Sequence, residues 1–153
     1  SYLHGGDQEQ KKRAGTENLA AIVGMVAALK EDLEHQADHY RKLEGLKTAF
    51  LEEIEDLDYY LNEGQDQLPY VFNIGFPGQK NDLLLLRLDL EGISISTGSA
   101  CTAGIVQTSH VLEAFYGPDS HRLKESVRIS LSPLNTEKEL KQLAQTLKNI
   151  IGD

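Results

Sequence analysis

From Glu17 to Leu57 the apolar residues recur at steps of three and four: Leu19, Ile22, Val23, Val26, Leu29, Leu33, Ala37, Tyr40, Leu43, then Leu46, Phe50, Leu51, Ile54 and Leu57. That spacing predicts an α-helix with a continuous apolar stripe. Thr16 is the expected N-cap, and Glu17 in the first turn suits the helix dipole. An unbroken helix over this span would measure roughly 60 Å at ~1.5 Å per residue. A chain of 153 residues forms one domain of smaller diameter than that. The stretch is therefore expected to break or bend near Gly45, with a first half that reaches towards something outside this domain.

Shorter elements follow. Asp58–Asn62 and Tyr70–Phe76 read as strands separated by a turn-rich segment. Asn81–Glu91 (NDLLLLRLDLE) reads as a helix capped by Asn81 and ended by Gly92. Ile93–Ser96 is a short strand candidate, Thr97–Thr108 a loop of small and hydroxylated residues, and Ser109–Tyr116 a short helix ended by Gly117-Pro118. Ser126–Leu131 (SVRISL) alternates cleanly, as a strand does. Thr136–Ile151 is the last helix, with Thr136 and Glu139 at capping-box spacing and an apolar stripe of Leu140, Leu143, Leu147 and Ile150. This order predicts an α/β or α+β sandwich, a small sheet covered by helices. The polar, Gly-rich residues 1–16 carry no period and read as a loop.

With 15 basic against 24 acidic residues the net charge is −9. Nucleic-acid or anionic-membrane binding needs a basic footprint, so neither is expected. No stretch approaches the ~20 apolar residues of a membrane span. The N-terminal residues have neither the basic nor the apolar region of a secretory signal, and one cysteine forms no intramolecular disulfide; a cytoplasmic location is the expectation.

That cysteine, Cys101, sits in STGSACTAG, among small residues with nothing bulky to bury the thiol. Structural cysteines behave as small hydrophobes among Leu, Ile and Val. An accessible thiol can instead act as a nucleophile through its thiolate. Spacing alone leaves an incidental cysteine as an equal alternative. In Val127-Arg128-Ile129-Ser130-Leu131 the apolar residues share one face, and Arg128 points to the other with Ser130. A guanidinium there can clamp a carboxylate through two hydrogen bonds; a solvated or ion-paired Arg fits the same pattern. Gly15 and Thr16 before the long helix suit a phosphate, and equally an ordinary cap. His35 and His39 have the i, i+4 spacing of a metal pair but lie in the highly charged EDLEHQADHYRK without a third ligand nearby, so no metal site is expected. His110 opens a helix and reads as local structure.

Several stretches together resemble the cysteine desulfurases, pyridoxal-phosphate-dependent members of the class-V aminotransferase family. HGGDQE…RAGTEN (residues 4–18) is similar to their "GGGQE…R-S/A-GT-x-N" segment. LD…GISISTGSACT (residues 88–102) is similar to their active-site cysteine loop, Ser109-His110-Val111-Leu112 to the "SHVL" that follows it, and VRISL…NTE (residues 127–137) to their closing "VRxSL…T-x-E-E". The resemblance covers essentially the whole chain in order. It implies the aspartate-aminotransferase type fold, pyridoxal 5'-phosphate as cofactor, a homodimer, and conversion of L-cysteine to L-alanine. The sulfur then stays as a persulfide on the loop cysteine, for iron–sulfur cluster assembly or tRNA thiolation through an acceptor or scaffold protein. By residue match Cys101 is the persulfide carrier and Arg128 the substrate-carboxylate clamp. Gly15 and Thr16 fall where the family contacts the cofactor phosphate of the neighbouring subunit. The length of the cysteine loop resembles the subgroup in which that loop is long and mobile.

The departures are informative. The family's Schiff-base lysine follows a histidine, and no histidine here precedes a lysine. The resemblance therefore implies a C-terminal portion: residues 1–16 as the tail end of the large cofactor-binding domain and residues 17–153 as the small C-terminal domain, inactive by themselves. Asp7 replaces the third glycine, Ala103 a serine, and Thr108 a proline. Two other functions compete: a cofactor-free sulfur-relay or binding module using Cys101, and a related class-V aminotransferase in which Cys101 has no role.

Overall fold

The computed structural model describes residues 2–64, 66–98 and 108–152; Cys101 and the rest of 99–107 lie outside the described residues. The chain runs through α1 (Gln8–Lys11), α2 (Leu19–Glu53), β1 (Tyr60–Leu61), β2 (Val71–Gly75), α3 (Asn81–Leu90), α4 (His110–Tyr116), α5 (Arg122–Glu125), β3 (Ser126–Ser130) and α6 (Glu137–Gly152). It divides into two compact units, Ser1–Ala37 and Asp38–Asp153.

In the second unit the three strands form one antiparallel sheet in the order β1-β2-β3. The architecture is α+β, as the element order predicted. Phe72 faces Ile129 and Ile74 faces Val127 across the β2–β3 ladder, so all four share one face. Against it pack Leu46 and Phe50 of α2 with Ile54 just after it, Leu84 and Leu88 of α3, and the α6 stripe Leu140, Leu143, Ala144, Leu147 and Ile150. The other face carries Asn73 opposite Arg128 and Val71 opposite Ser130.

Phe72 is wholly buried, its ring 5.8 Å from that of Phe50, with the Lys47 ammonium 5.5 Å from its centroid. Large-to-small truncation at such a site costs about 3–5 kcal/mol, a large part of the ~5–15 kcal/mol typical of a domain. Urea unfolding of Phe72→Ala is expected to show that loss, whereas Leu134→Ala, at a residue 89% exposed, stays within ~0.5 kcal/mol of the parent.

Helix α6 begins as its capping box predicts. The Thr136 N–H donates to Glu139 Oε2 at 2.8 Å, and the Glu139 N–H donates to Thr136 Oγ1 at 3.4 Å. The Thr136 N–H, aided by Asn135, holds the Glu139 carboxyl below the usual glutamate range.

Four expectations about the elements need correction. α2 passes through Gly45 without a break. A helical glycine costs about 1 kcal/mol relative to alanine, and the buried Leu43, Leu46 and Phe50 around it hold the segment on the sheet. The helix starts at Leu19 rather than Glu17, and it is Asn18 Oδ1, not Thr16, that accepts the Ala21 N–H at 3.1 Å. Asn81 does not cap α3. Its side chain is buried and donates to the Leu123 and Ser126 carbonyls at 3.2 and 3.0 Å, tying α3 to α5 and β3. Finally, Ile93–Ser96 is no strand: only Ser96 bridges to Arg128.

In the first unit residues 2–15 are an ordered segment whose one helical turn, α1, is irregular, with Glu9 and Gln10 at positive φ. The Tyr2 N–H donates to the Lys12 carbonyl at 2.9 Å and the Ala14 N–H to the Leu3 carbonyl at 3.1 Å. The opening stretch of α2, LAAIVGMVAAL, is apolar all round, yet Leu19, Val23 and Met25 are about two-thirds exposed, at 67, 67 and 65%. A helix that is hydrophobic on every side is normally buried. Among the described residues no helix is long and apolar enough to cross a membrane.

Candidate active site

Arg128 stands on the polar face of the sheet, as the strand alternation requires, and is exposed while its neighbours Val127 and Ile129 are buried. Ser96 fixes it from outside the sheet. The Ser96 N–H donates to the Arg128 carbonyl at 3.1 Å and the Arg128 N–H to the Ser96 carbonyl at 2.7 Å. Arg128 Nε donates to Ser96 Oγ at 3.0 Å. The two terminal nitrogens of the guanidinium have no partner among the described residues. A guanidinium oriented through Nε and open at its fork is arranged to receive a carboxylate.

Two residues beyond Ser96 the described chain stops at Gly98, and it resumes at Thr108. Both ends line one pocket of about 340 Å³, together with Lys80, Asn81, Asp82, Leu123 and Lys124. Gly98 and Thr108, which flank the Cys101 segment in the sequence, thus share one pocket with two lysines for which the sequence held no signal. Ser109 then caps α4, its Oγ accepting the Leu112 N–H at 3.3 Å. His110 is the exposed first residue of that helix.

The polar face continues from Arg128 in a direction the sequence did not reveal. Asn73, opposite Arg128, accepts through Oδ1 from Asn62 Nδ2 at 2.7 Å. That same nitrogen donates to Ser126 Oγ at 2.8 Å, and Asn62 Oδ1 accepts from Arg122 at 2.6 Å. The Arg122 guanidinium lies between two aromatic rings, 4.1 Å from the Tyr60 centroid and 4.5 Å from that of Tyr116. The Tyr60 hydroxyl donates to Glu125 Oε2 at 3.2 Å, and Glu125 Oε1 accepts the Gly78 N–H at 2.9 Å. Burial raises the Tyr60 phenol above the usual tyrosine range, and the Glu125 carboxylate adds to it. Gly75 makes this packing possible: a β-carbon there would come within 2.3 Å of the Tyr60 ring.

In the first unit, Gly15 has φ +104°, in the left-handed region that glycine adopts without strain. Its N–H donates to Gln8 Oε1 at 3.2 Å and its carbonyl accepts from Arg13 Nη1 at 2.8 Å. Arg13 also pairs with Glu17. Thr16 is exposed, and its hydroxyl has no partner among the described residues. A free hydroxyl can bind one edge of a phosphate, while the Arg13 guanidinium is engaged by the Gly15 carbonyl and Glu17. The Gly15 N–H would join it only when the Gln8 side chain swings away. Among the described residues no three His, Cys, Asp or Glu side chains cluster as a metal site would require.

Residues 2–143 match the aminotransferase class-V family. The chain belongs to that family. A putative cysteine desulfurase IscS 1 of Bacillus subtilis is 40% identical over 152 residues, which cover 97% of this chain and 40% of that protein. A cysteine desulfurase IscS of Dictyoglomus turgidum is 38% identical, over 97% of this chain and 38% of its own length. Among solved structures, a NifS-like protein superposes with a TM-score of 0.81 at 28% identity over 98% of this chain, and a NifS-like protein from Rickettsia africae with 0.81 at 27%. The α+β fold described above is therefore that of part of the NifS-like proteins. This class-V aminotransferase chain spans about 40% of the length of the curated relatives it matches.

Proposed function

We propose that this chain is the C-terminal part of a cysteine desulfurase and carries sulfur on Cys101. Residues 1–16 belong to the tail of the large cofactor-binding domain, and residues 17–153 form the small domain. The observation that carries the reading is Arg128: an exposed guanidinium, aimed by Ser96 and open at its fork; Ser96 itself stands five residues before Cys101 in the sequence. The polar face of the sheet thus offers an anchor for the substrate carboxylate, and its partner Ser96 is close in sequence to the proposed nucleophile. The named relatives support the substrate, since they are called cysteine desulfurases.

Pyridoxal phosphate supplies the electron sink that makes carbon–sulfur cleavage possible. Thr16, joined by the Gly15 N–H, would hold its phosphate, in the family manner from a neighbouring subunit. The chain's own groups perform the rest. Arg128 binds and orients the L-cysteine carboxylate. The Cys101 thiolate attacks the substrate sulfur, so that an S–S bond forms as the substrate's C–S bond breaks and a proton replaces sulfur at that carbon. L-cysteine and the enzyme thiol thus become L-alanine and the enzyme persulfide, with no external oxidant or reductant. The persulfide sulfur then passes to an acceptor or scaffold protein for iron–sulfur cluster assembly or tRNA thiolation in the cytoplasm. The exposed apolar start of α2 supports burial against a further protein surface, in keeping with a homodimer.

The complete enzyme, given L-cysteine, is expected to form one alanine per cysteine consumed and a persulfide on Cys101 that mass spectrometry detects. Prior blocking with iodoacetamide should stop both. Alanine production that survives complete alkylation of Cys101 would instead favour a class-V enzyme that does not use the thiol.

A further inference from the structure

We propose that Asn73 is a second ligand for the substrate carboxylate, its Nδ2 donating beside the open fork of Arg128. This rests on the reading of Arg128 as the carboxylate anchor. Asn73 lies outside the motifs that carry the family resemblance; its role emerges from the geometry. Four polar residues stand in one row across the polar face of the sheet: Asn62, Asn73, Arg128 and Ser96. The Asn62 N–H donates to the Asn73 carbonyl at 2.9 Å, continuing the β1–β2 register, and Arg128 exchanges both of its main-chain bonds with Ser96. In an antiparallel ladder a residue bonded in this way to one neighbour forms the close, non-bonded pair with the other. The Cα atoms of such a pair lie about 4.5 Å apart and its side chains are neighbours. Asn73 and Arg128 are that pair.

The orientation of the Asn73 amide follows from a chain of donors and acceptors that starts at Arg122. A guanidinium only donates, so the Asn62 atom 2.6 Å from it is the acceptor, Oδ1. The other end of that amide is therefore Nδ2, which donates to Asn73 Oδ1 at 2.7 Å and to Ser126 Oγ at 2.8 Å. Asn73 must meet it with oxygen, and its own Nδ2 turns away from Asn62. That nitrogen has no partner among the described residues and is not sealed from solvent. The Tyr60 and Tyr116 rings hold the guanidinium from which this order starts. An amide that cannot flip presents a fixed donor, next to a cation that is open at its fork. Together they suit the two oxygens of a carboxylate. An amide turned the other way would set an oxygen against it.

The test uses the complete holoenzyme with L-cysteine. Asn73→Ala removes the donor yet leaves Asn62 Nδ2 its bond to Ser126 Oγ. It is expected to raise KM for L-cysteine about tenfold, the lower end for a hydrogen bond to a charged group, with kcat within about twofold of the parent. Affinity for cysteamine, read by competition against L-cysteine, should not change, because cysteamine has no carboxylate. Asn62→Asp probes the orientation without touching residue 73. An aspartate still accepts from Arg122 but offers Asn73 only oxygen, so the Asn73 amide must turn its Nδ2 inward and its oxygen towards the substrate. KM should rise as much as in Asn73→Ala, again for L-cysteine alone. This variant also decides the matter if Asn73→Ala does not fold. An unchanged KM in either variant would overturn the proposal. Equal losses of L-cysteine and cysteamine affinity would overturn it too, since Asn73 would then serve the sheet alone. Arg128→Ala run alongside separates the two levels. If it weakens both ligands equally, the carboxylate anchor is misassigned; if it weakens only L-cysteine while Asn73→Ala matches the parent, Arg128 stands and only the role of Asn73 fails.

Discussion

Replacing Cys101 by alanine in the complete enzyme is expected to lower sulfide release from L-cysteine by at least about a thousandfold, the scale of losing a covalent nucleophile. Substrate binding and the cofactor's visible colour should remain, because neither depends on the thiol. Serine at the same position should fare no better: its hydroxyl is far less nucleophilic at neutral pH, and a persulfide needs sulfur. The motivation is partly compositional, since nothing in STGSACTAG offers the apolar surroundings of a structural cysteine. It is also structural. Gly98 and Thr108, the described residues that flank this segment, line one pocket together with Lys80 and Lys124. Sulfide measured in the presence of an excess thiol reductant gives the rate. If the alanine variant released sulfide at the parental rate, the aminotransferase-like reading would replace the present one.

What could be read in advance follows the range of the interactions. The alternation around Arg128 and the box joining Thr136 to Glu139 are local patterns, and both appear in the structure as read. The failures arise where a distant partner outweighs a local preference. Asn81 looked like a cap because Asn favours caps, but the carbonyls of Leu123 and Ser126, more than 40 residues away, claim its side chain. Gly45 looked like a hinge, but packing on Phe72 and its neighbours through Leu46 and Phe50 outweighs a glycine's cost. Ile93–Ser96 had the composition of a strand, yet only Ser96 finds a ladder partner. The placement of Arg122 between Tyr60 and Tyr116 had no sequence signal at all. A cation and two rings spread over residues 60–122 have no period and no motif. The length of the helical stripe from Glu17 to Leu57 sets the expectation that its first half reaches beyond this domain; in the structure Leu19, Val23 and Met25 there are exposed.

Arg128→Ala is expected to reduce kcat/KM for L-cysteine by about 10- to 100-fold, mostly through KM. Hydrogen bonds to a charged group are worth ~1.5–3 kcal/mol, and each 1.36 kcal/mol corresponds to tenfold. The change should fall on KM because the carboxylate takes no part in the bond changes at sulfur, so its clamp serves ground state and transition state alike. The fold should be nearly indifferent. Arg128 is exposed, its place in the β2–β3 ladder is set by backbone, and both of its main-chain bonds to Ser96 survive truncation. A melting temperature close to the parent would show this. Arg128→Lys sharpens the test, since it keeps the charge but loses both the Nε bond to Ser96 Oγ and the two-pronged fork. Lysine should therefore recover only a small part of the loss. A cysteine analogue lacking its carboxylate, such as cysteamine, should react about equally slowly with the parent and with Arg128→Ala. If alanine at 128 instead impaired cysteine and cysteamine alike, the guanidinium would be serving the sheet rather than the substrate. The carboxylate anchor would then have to be sought elsewhere in the complete enzyme.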